Sequence, residues 1–119
     1  MDNCIFCQII SKKSKANIVL ENDLCIAFTP LDPISSGHVL VVPKAHFENI
    51  FDIDEKTLAE LTSYSKKIAA KIVKNNDAKG INLLHASGKD AQQSVFHFHF
   101  HVVPRYENDG LDLWMKGKL

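Results

Sequence analysis

His97-Phe98-His99-Phe100-His101-Val102-Val103 alternates imidazole and apolar side chains in strict register before closing on a valine pair. A β-strand sends successive side chains to opposite faces. This run therefore reads as a strand that buries Phe98, Phe100 and Val102 and aligns three imidazoles on its other side. Neighbouring imidazoles in such a row stand about 6.5–7 Å apart along the strand, within reach of a single phosphate or metal ion.

The rest of the chain supplies partners for that strand. Ile18-Val19-Leu20 and Leu24-Cys25-Ile26-Ala27-Phe28 read as two strands joined by a tight turn at Glu21-Asn22-Asp23, where Asn and Asp tolerate left-handed backbone. Pro30 and Pro33 interrupt the pattern. Gly37 ends that loop, and His38–Val42 forms a third strand stopped by Pro43. Leu58, Leu61, Tyr64 or Ser65, Ile68, Ile72 and Val73 recur at helical spacing, opposite a largely lysine face. Asp52 and Asp54 are candidate N-caps for this long helix, with Asp52 and Glu55 spaced as a capping box. Ile81–His85 reads as a fourth strand and Val95–Val103 as a fifth, closed by Pro104. Ile5, Phe6, Ile9 and Ile10 suit a short N-terminal helix. The sum is an α+β domain built on a mostly antiparallel five-stranded sheet.

A chain of 119 residues with 45% apolar content is expected to form one domain, residues 1–119, around a real core. Fourteen basic residues balance fourteen acidic ones, which gives no support for a nucleic-acid surface. No apolar run has membrane-spanning length, and Met1–Cys7 does not read as a signal peptide, so a cytoplasmic protein is expected.

Three cysteines, an odd number without an export signal, argue against a disulfide framework. Cys25 lies in an apolar strand and reads as a small buried hydrophobe. Cys4 and Cys7 form a C-x-x-C pair open to three readings: half a zinc site, a redox dithiol, or two packed residues. Nothing before Cys4 provides the strand that a redox pair wants, so zinc leads provided that two further ligands exist. The histidine row has two sharp readings of its own. His-x-His on a strand can hold a metal. A neutral imidazole can also attack phosphorus and form a phosphoramidate. The segment Gly88–Ser94 directly upstream offers backbone N–H groups and a hydroxyl to phosphate oxygens.

His97-x-His99-x-His101, preceded by Gln93-Ser94-Val95-Phe96, resembles the signature of the histidine triad (HIT) superfamily, in its small HINT-like branch. Gly37–His46 resembles the other common block of that family, and the similarity spans nearly the whole chain. The resemblance implies a HIT-like fold, usually a homodimer, acting on the α-phosphate of purine nucleotides through a nucleotidyl-histidine intermediate. By position, His99 becomes the nucleophile, His101 the phosphate and leaving-group partner, and His97 a supporting member of the triad. Gln93, Ser94 and Val95 fall at the phosphate and Phe28 at the nucleotide. Cys4, Cys7, His46 and His97 match a structural zinc site, which supplies the two missing ligands.

The family often places an acidic residue at the position of Pro30 and an asparagine at that of Ala86, so two polar nucleotide contacts are missing or relocated. Asp32, His85 and Ser87 are the nearby polar residues. In similar proteins the C-terminal tail, 106–119 here, reaches across the dimer; Trp114 is expected either to anchor that interface or to pack on its own subunit, and Arg105 is expected to be an ordinary surface arginine. A nucleoside phosphoramidase or nucleotidyl hydrolase leads. The alternatives are a dinucleoside polyphosphate hydrolase and a zinc-stabilised nucleotide-sensing module without turnover.

Overall fold

A computed structural model describes residues 3–117; Met1, Asp2 and the tail residues Lys118 and Leu119 lie outside the described residues. The elements are α1 (Ile5–Ile10), β1 (Ile18–Glu21), β2 (Cys25–Phe28), β3 (Val39–Pro43), α2 (Glu55–Asn76), β4 (Gly80–Leu84) and β5 (Phe100–Arg105). The five strands form one sheet in the order β1-β2-β3-β5-β4. Every pairing in it is antiparallel.

Strands β2 and β3 carry continuous apolar runs because both faces of the sheet are covered there. On one face Ala27, Val41, Phe98 and Val102 pack against Leu61, Tyr64, Ile68 and Ile72 of α2. On the other, Ile26, Phe28, Leu40 and Val42 pack against Phe6 and Ile9 of α1. Burying each such large apolar side chain contributes about 2 kcal/mol. Both layers are therefore needed to hold the histidine-bearing segment in place.

Three sequence expectations change. The fifth strand begins at Phe100 rather than Val95. Its ladder with β3 ends at the Val41–Phe100 pair, two residues before Pro43, which has no N–H to donate. The Phe98 N–H instead bonds the Phe47 carbonyl at 2.6 Å, so residues 95–99 leave the ladder while keeping the alternation of faces. The cap of α2 is Asp54, which accepts from the Thr57 N–H. Asp52 accepts instead from the N–H groups of Glu48 and Asn49 and shapes the preceding loop, so no Asp52–Glu55 capping box forms. The turn between β1 and β2 needs no left-handed residue. The Asn22 side chain closes it by accepting from the N–H groups of Leu24 and Cys25.

Gly37 is required by its backbone. Its φ is +88°, and a Cβ there would meet Asn76, Ile72 and Pro104 at 3.2–3.3 Å. The chain thereby turns tightly into His38 at the mouth of β3. Among the described residues, no helix is long and apolar enough to cross a membrane.

Candidate functional site

The three histidines leave the sheet on the α1 side and face three different environments. His97 is fully buried. Its Nε2–H donates to the Pro43 carbonyl at 2.8 Å, which fixes the tautomer and leaves the Nδ1 lone pair free. That Nδ1 lies 3.1 Å from His46 Nδ1, 3.5 Å from Cys4 Sγ and 3.6 Å from Cys7 Sγ. Cys7 Sγ lies 3.3 Å from His46 Nδ1. All four donor atoms fall within 4.8 Å of one another.

A tetrahedral ion held by thiolates at about 2.3 Å and imidazoles at about 2.0 Å needs S–N and N–N edges of about 3.3–3.6 Å. The four side chains fit such an ion. The Pro43 carbonyl behind His97 gives the ligand the outer support that metal-bound histidines need. Burial and the neighbouring Cys4 push the Cys7 thiol up to about 11, an effect that a bound dication reverses by binding the thiolate. Cys4 also caps α1, its sulfur accepting from the Cys7 N–H.

His99 is buried, and its Nδ1–H donates to the His97 carbonyl at 2.8 Å. The carbonyl can only accept, so the proton sits on Nδ1 and Nε2 carries the free lone pair. Phe6 of α1 packs edge-on against this ring at 5.2 Å. Burial holds the His99 pKa below the usual imidazole value, so the ring is neutral at pH 7.

His101 lies beside His99, with ring centroids 5.0 Å apart. Its Nδ1 is 3.1 Å from Nε2 of His38, a residue to which sequence reasoning assigned no role. His38 Nδ1 accepts from the Ile34 N–H, so His38 carries its proton on Nε2 and donates to His101. His101 therefore keeps its own proton on Nε2. Burial, then the proximity of His99 and His38, pushes the His101 pKa down to about 4. The available signal was the spacing His38, Leu40, Val42, which puts His38 on the α1 face of the sheet.

A cleft of about 710 Å³ opens in front of His99 and His101, lined among others by Phe6, Ile9, Phe28 and Ser94. Its inner part is apolar and aromatic, with Phe6 and Phe28 in edge contact at 5.3 Å. Lys15, Asn17, Thr29 and Asp32 bring polar groups to it, and Pro30 also lines it. Val95 lines the cleft, whereas the Gln93 side chain is buried and fully engaged. Gln93 accepts from the Gly88 N–H at 2.7 Å and donates to the carbonyls of Glu48 at 2.6 Å and Val95 at 3.1 Å. It shapes the loop from within, and Ser94 is the exposed side chain of that pair.

Ala86 does not line the cleft. Arg105 is not an ordinary surface arginine: it forms a two-pronged pair with Asp109 and also bonds Asn82 and the Leu111 carbonyl, anchoring the start of the tail. Trp114 remains 58% exposed on this chain.

A family model described as the HIT domain matches residues 11–108. An uncharacterized HIT-like protein of Borreliella burgdorferi is 42% identical over 121 residues, covering 100% of this chain and 87% of that protein. An adenylylsulfatase of Arabidopsis thaliana is 34% identical over 110 residues, covering 92% of this chain and 56% of that protein. The crystal structure of a zinc-bound histidine triad family protein from Mycobacterium smegmatis superposes with a TM-score of 0.90 at 34% identity, covering 93% of this chain and 81% of the other. With the fold, the histidine row and these similarities in agreement over nearly its whole length, the chain belongs to the HIT family.

Proposed function

We propose that this protein is a nucleotidyl hydrolase or transferase that acts on the α-phosphate of purine nucleotides, with nucleoside phosphoramidates as the leading substrate class. The observation that carries this reading is the tautomer of His99: with Nδ1–H committed to the His97 carbonyl, a neutral ring lining the cleft has Nε2 as its only nucleophilic atom. The purine lies in the apolar cleft against Phe28, and Ser94, Val95 and the backbone from Gln93 onward meet the phosphate.

The His99 Nε2 lone pair attacks phosphorus, and an N–P bond forms as the bond to the leaving amine breaks. The amine departs with its electron pair and a proton drawn from solvent. His101 holds the phosphate and the departing atom through its Nε2–H, while His97 supports the nucleophile from behind. Water then attacks phosphorus and returns the proton to solvent, and the N–P electron pair goes back to His99. The release of a nucleoside monophosphate closes the cycle. The adenylylsulfatase relative favours this class, because adenylylsulfate is likewise a nucleotidyl group joined to a leaving group at the α-phosphate.

Cys4, Cys7, His46 and His97 are assigned to a structural zinc ion; a two-thiolate, two-imidazole donor set suits that metal. Zinc there supplies cross-linking rather than Lewis-acid chemistry, since all four positions are protein ligands. A second copy of the chain is assigned to the free edge of β4, where Leu83 is 47% exposed, with the tail and Trp114 beside that interface. Three cysteines with no disulfide among them fit a reducing, cytoplasmic setting.

The test is turnover of adenosine phosphoramidate by wild type and His99→Ala. Loss of turnover, with an acid-labile labelled adduct on the wild type alone, supports the reading. Near-wild-type turnover by the variant removes His99 as nucleophile. Faster cleavage of dinucleoside polyphosphates would move the assignment to that class, and tight mononucleotide binding without any turnover would make the chain a sensing module.

A further inference from the structure

We propose that His85 is a positioning residue for the nucleophile, acting through the main chain of His99. His85 follows the last residue of β4 and does not line the cleft. Its Nδ1 lies 2.9 Å from the carbonyl oxygen of His99, and a carbonyl only accepts, so Nδ1 carries the proton. In the tautomer with its proton on Nδ1, the ring presents a lone pair at Nε2, which accepts from the Ser87 hydroxyl. Ser87 Oγ in turn accepts from the Ile50 N–H at 2.9 Å. Every donor in this chain of bonds has one direction available to it: Ile50 to Ser87, Ser87 to His85, His85 to His99.

The ring is fixed by packing as well. It stacks on Phe98 at 4.3 Å with a 25° tilt and meets Phe100 edge-on at 5.7 Å. Phe98 is itself tied to the Phe47 carbonyl by its backbone N–H. The segment carrying His99 has left the sheet ladder at this point, so no strand partner holds its carbonyl. His85 replaces the missing strand. His99 is consequently held twice, its ring by the His97 carbonyl and its own carbonyl by His85. A displacement of about 1 Å at a reacting atom costs on the order of a hundredfold in rate, which is the scale on which this second tether acts.

The inference rests on His99 as nucleophile, and one panel separates the two. Single-turnover formation of the nucleotidyl adduct from adenosine phosphoramidate is followed for wild type, His99→Ala, His85→Leu and His85→Asn. Asparagine carries its side-chain N–H donor at the position of Nδ1 and so keeps the bond to the His99 carbonyl; leucine keeps only bulk. The expected result is an adduct-formation rate about tenfold to a hundredfold lower in His85→Leu, with substrate affinity unchanged, and recovery to within about threefold in His85→Asn. Should His85→Leu not fold, His85→Phe, which keeps a ring against Phe98 but has no donor, takes its place with the same slow rate expected. A wild-type rate in the leucine or phenylalanine variant, or an equal loss in the asparagine variant, overturns the role of His85. Adduct formation by His99→Ala instead overturns the nucleophile assignment beneath it.

Discussion

His38 donates its Nε2–H to Nδ1 of His101 across 3.1 Å, and the Ile34 N–H on the far side of the His38 ring sets the direction of that bond. Two imidazoles in series thus leave His101 with its proton on Nε2, the atom assigned to the phosphate. His38 also lines the cleft, and its proposed action on the reaction runs through His101. Replacing His101 with alanine is expected to lower adduct formation about 10²–10³-fold, the usual loss for one preorganised donor at a developing charge. His38→Ala is expected to cost roughly tenfold, and the double variant no more than His101→Ala alone, because residues that share one pathway are not additive. Single-turnover rates for the three variants check this. Multiplicative losses would show that His38 acts independently.

The candidate metal cluster and the proposed nucleophile meet at one residue. His97 offers its ring to the four-ligand cluster and its carbonyl to His99, and α1, capped by Cys4, presses Phe6 onto the His99 ring. Cys4→Ser and Cys7→Ser are expected to lose bound metal and several degrees in Tm, and to turn over slowly. His99→Ala is expected to keep its metal. Metal content of purified protein, read beside thermal melting, checks the pair of outcomes. Metal loss in His99→Ala would mean that the triad itself binds the ion.

Burial lowers the pKa of His99 and of His38, and takes that of His101 to about 4. Each is neutral when folded at a pH where an unfolded imidazole, near 6.5, has begun to protonate. The unfolded state therefore binds more protons between about 6.5 and 4, and stability falls as pH drops through that window. Stability is fully retained above 6.5. Denaturant midpoints for wild type and His38→Phe at pH 7.5, 6 and 5 test this, with a shallower acid loss expected in the variant. The rate of adduct formation is expected to hold its plateau below pH 6.5 and to fall only as His99 and His101 protonate. A half-maximal rate at 6.5 would mean that the site does not depress these groups.

The face pattern of the histidine row was legible because alternation survives whether or not the backbone stays in a ladder. Strand length was not, since the Phe98 N–H goes to Phe47, 51 positions earlier in the numbering. The apolar stretches of β2 and β3 announced doubly covered strands, and the helical repeat announced α2. Cross-strand facts were hidden. His38 meets His101 because Leu40 pairs with His101 and puts His38 on the diagonal, a register that no local pattern encodes. Cys4 and His97 are likewise 93 residues apart in sequence, and only the family resemblance joined them beforehand. Arg105 read as a surface residue because its partners Asp109, Asn82 and the Leu111 carbonyl converge on it only in the folded chain.

Gln93 gives the sharpest test of how the proposed phosphate loop is held. Its side-chain oxygen accepts from the Gly88 N–H, and its amide nitrogen donates to the carbonyls of Glu48 and Val95. Glutamate has the same shape and keeps the first bond, but it turns an acceptor toward both carbonyls and buries a charge. Gln93→Glu is expected to destabilise the fold by about 2–4 kcal/mol, because two buried carbonyls lose their donor and the carboxylate lacks a cation. Gln93→Ala removes all three bonds without adding charge, and is expected to cost less. In both variants Ser94 and Val95 lose their support, so KM for adenosine phosphoramidate should rise while bound metal stays unchanged. Denaturant titration, steady-state kinetics and metal content together decide it. A Gln93→Glu variant as stable as wild type, with unaltered KM, would mean that the loop holds its shape without this side chain.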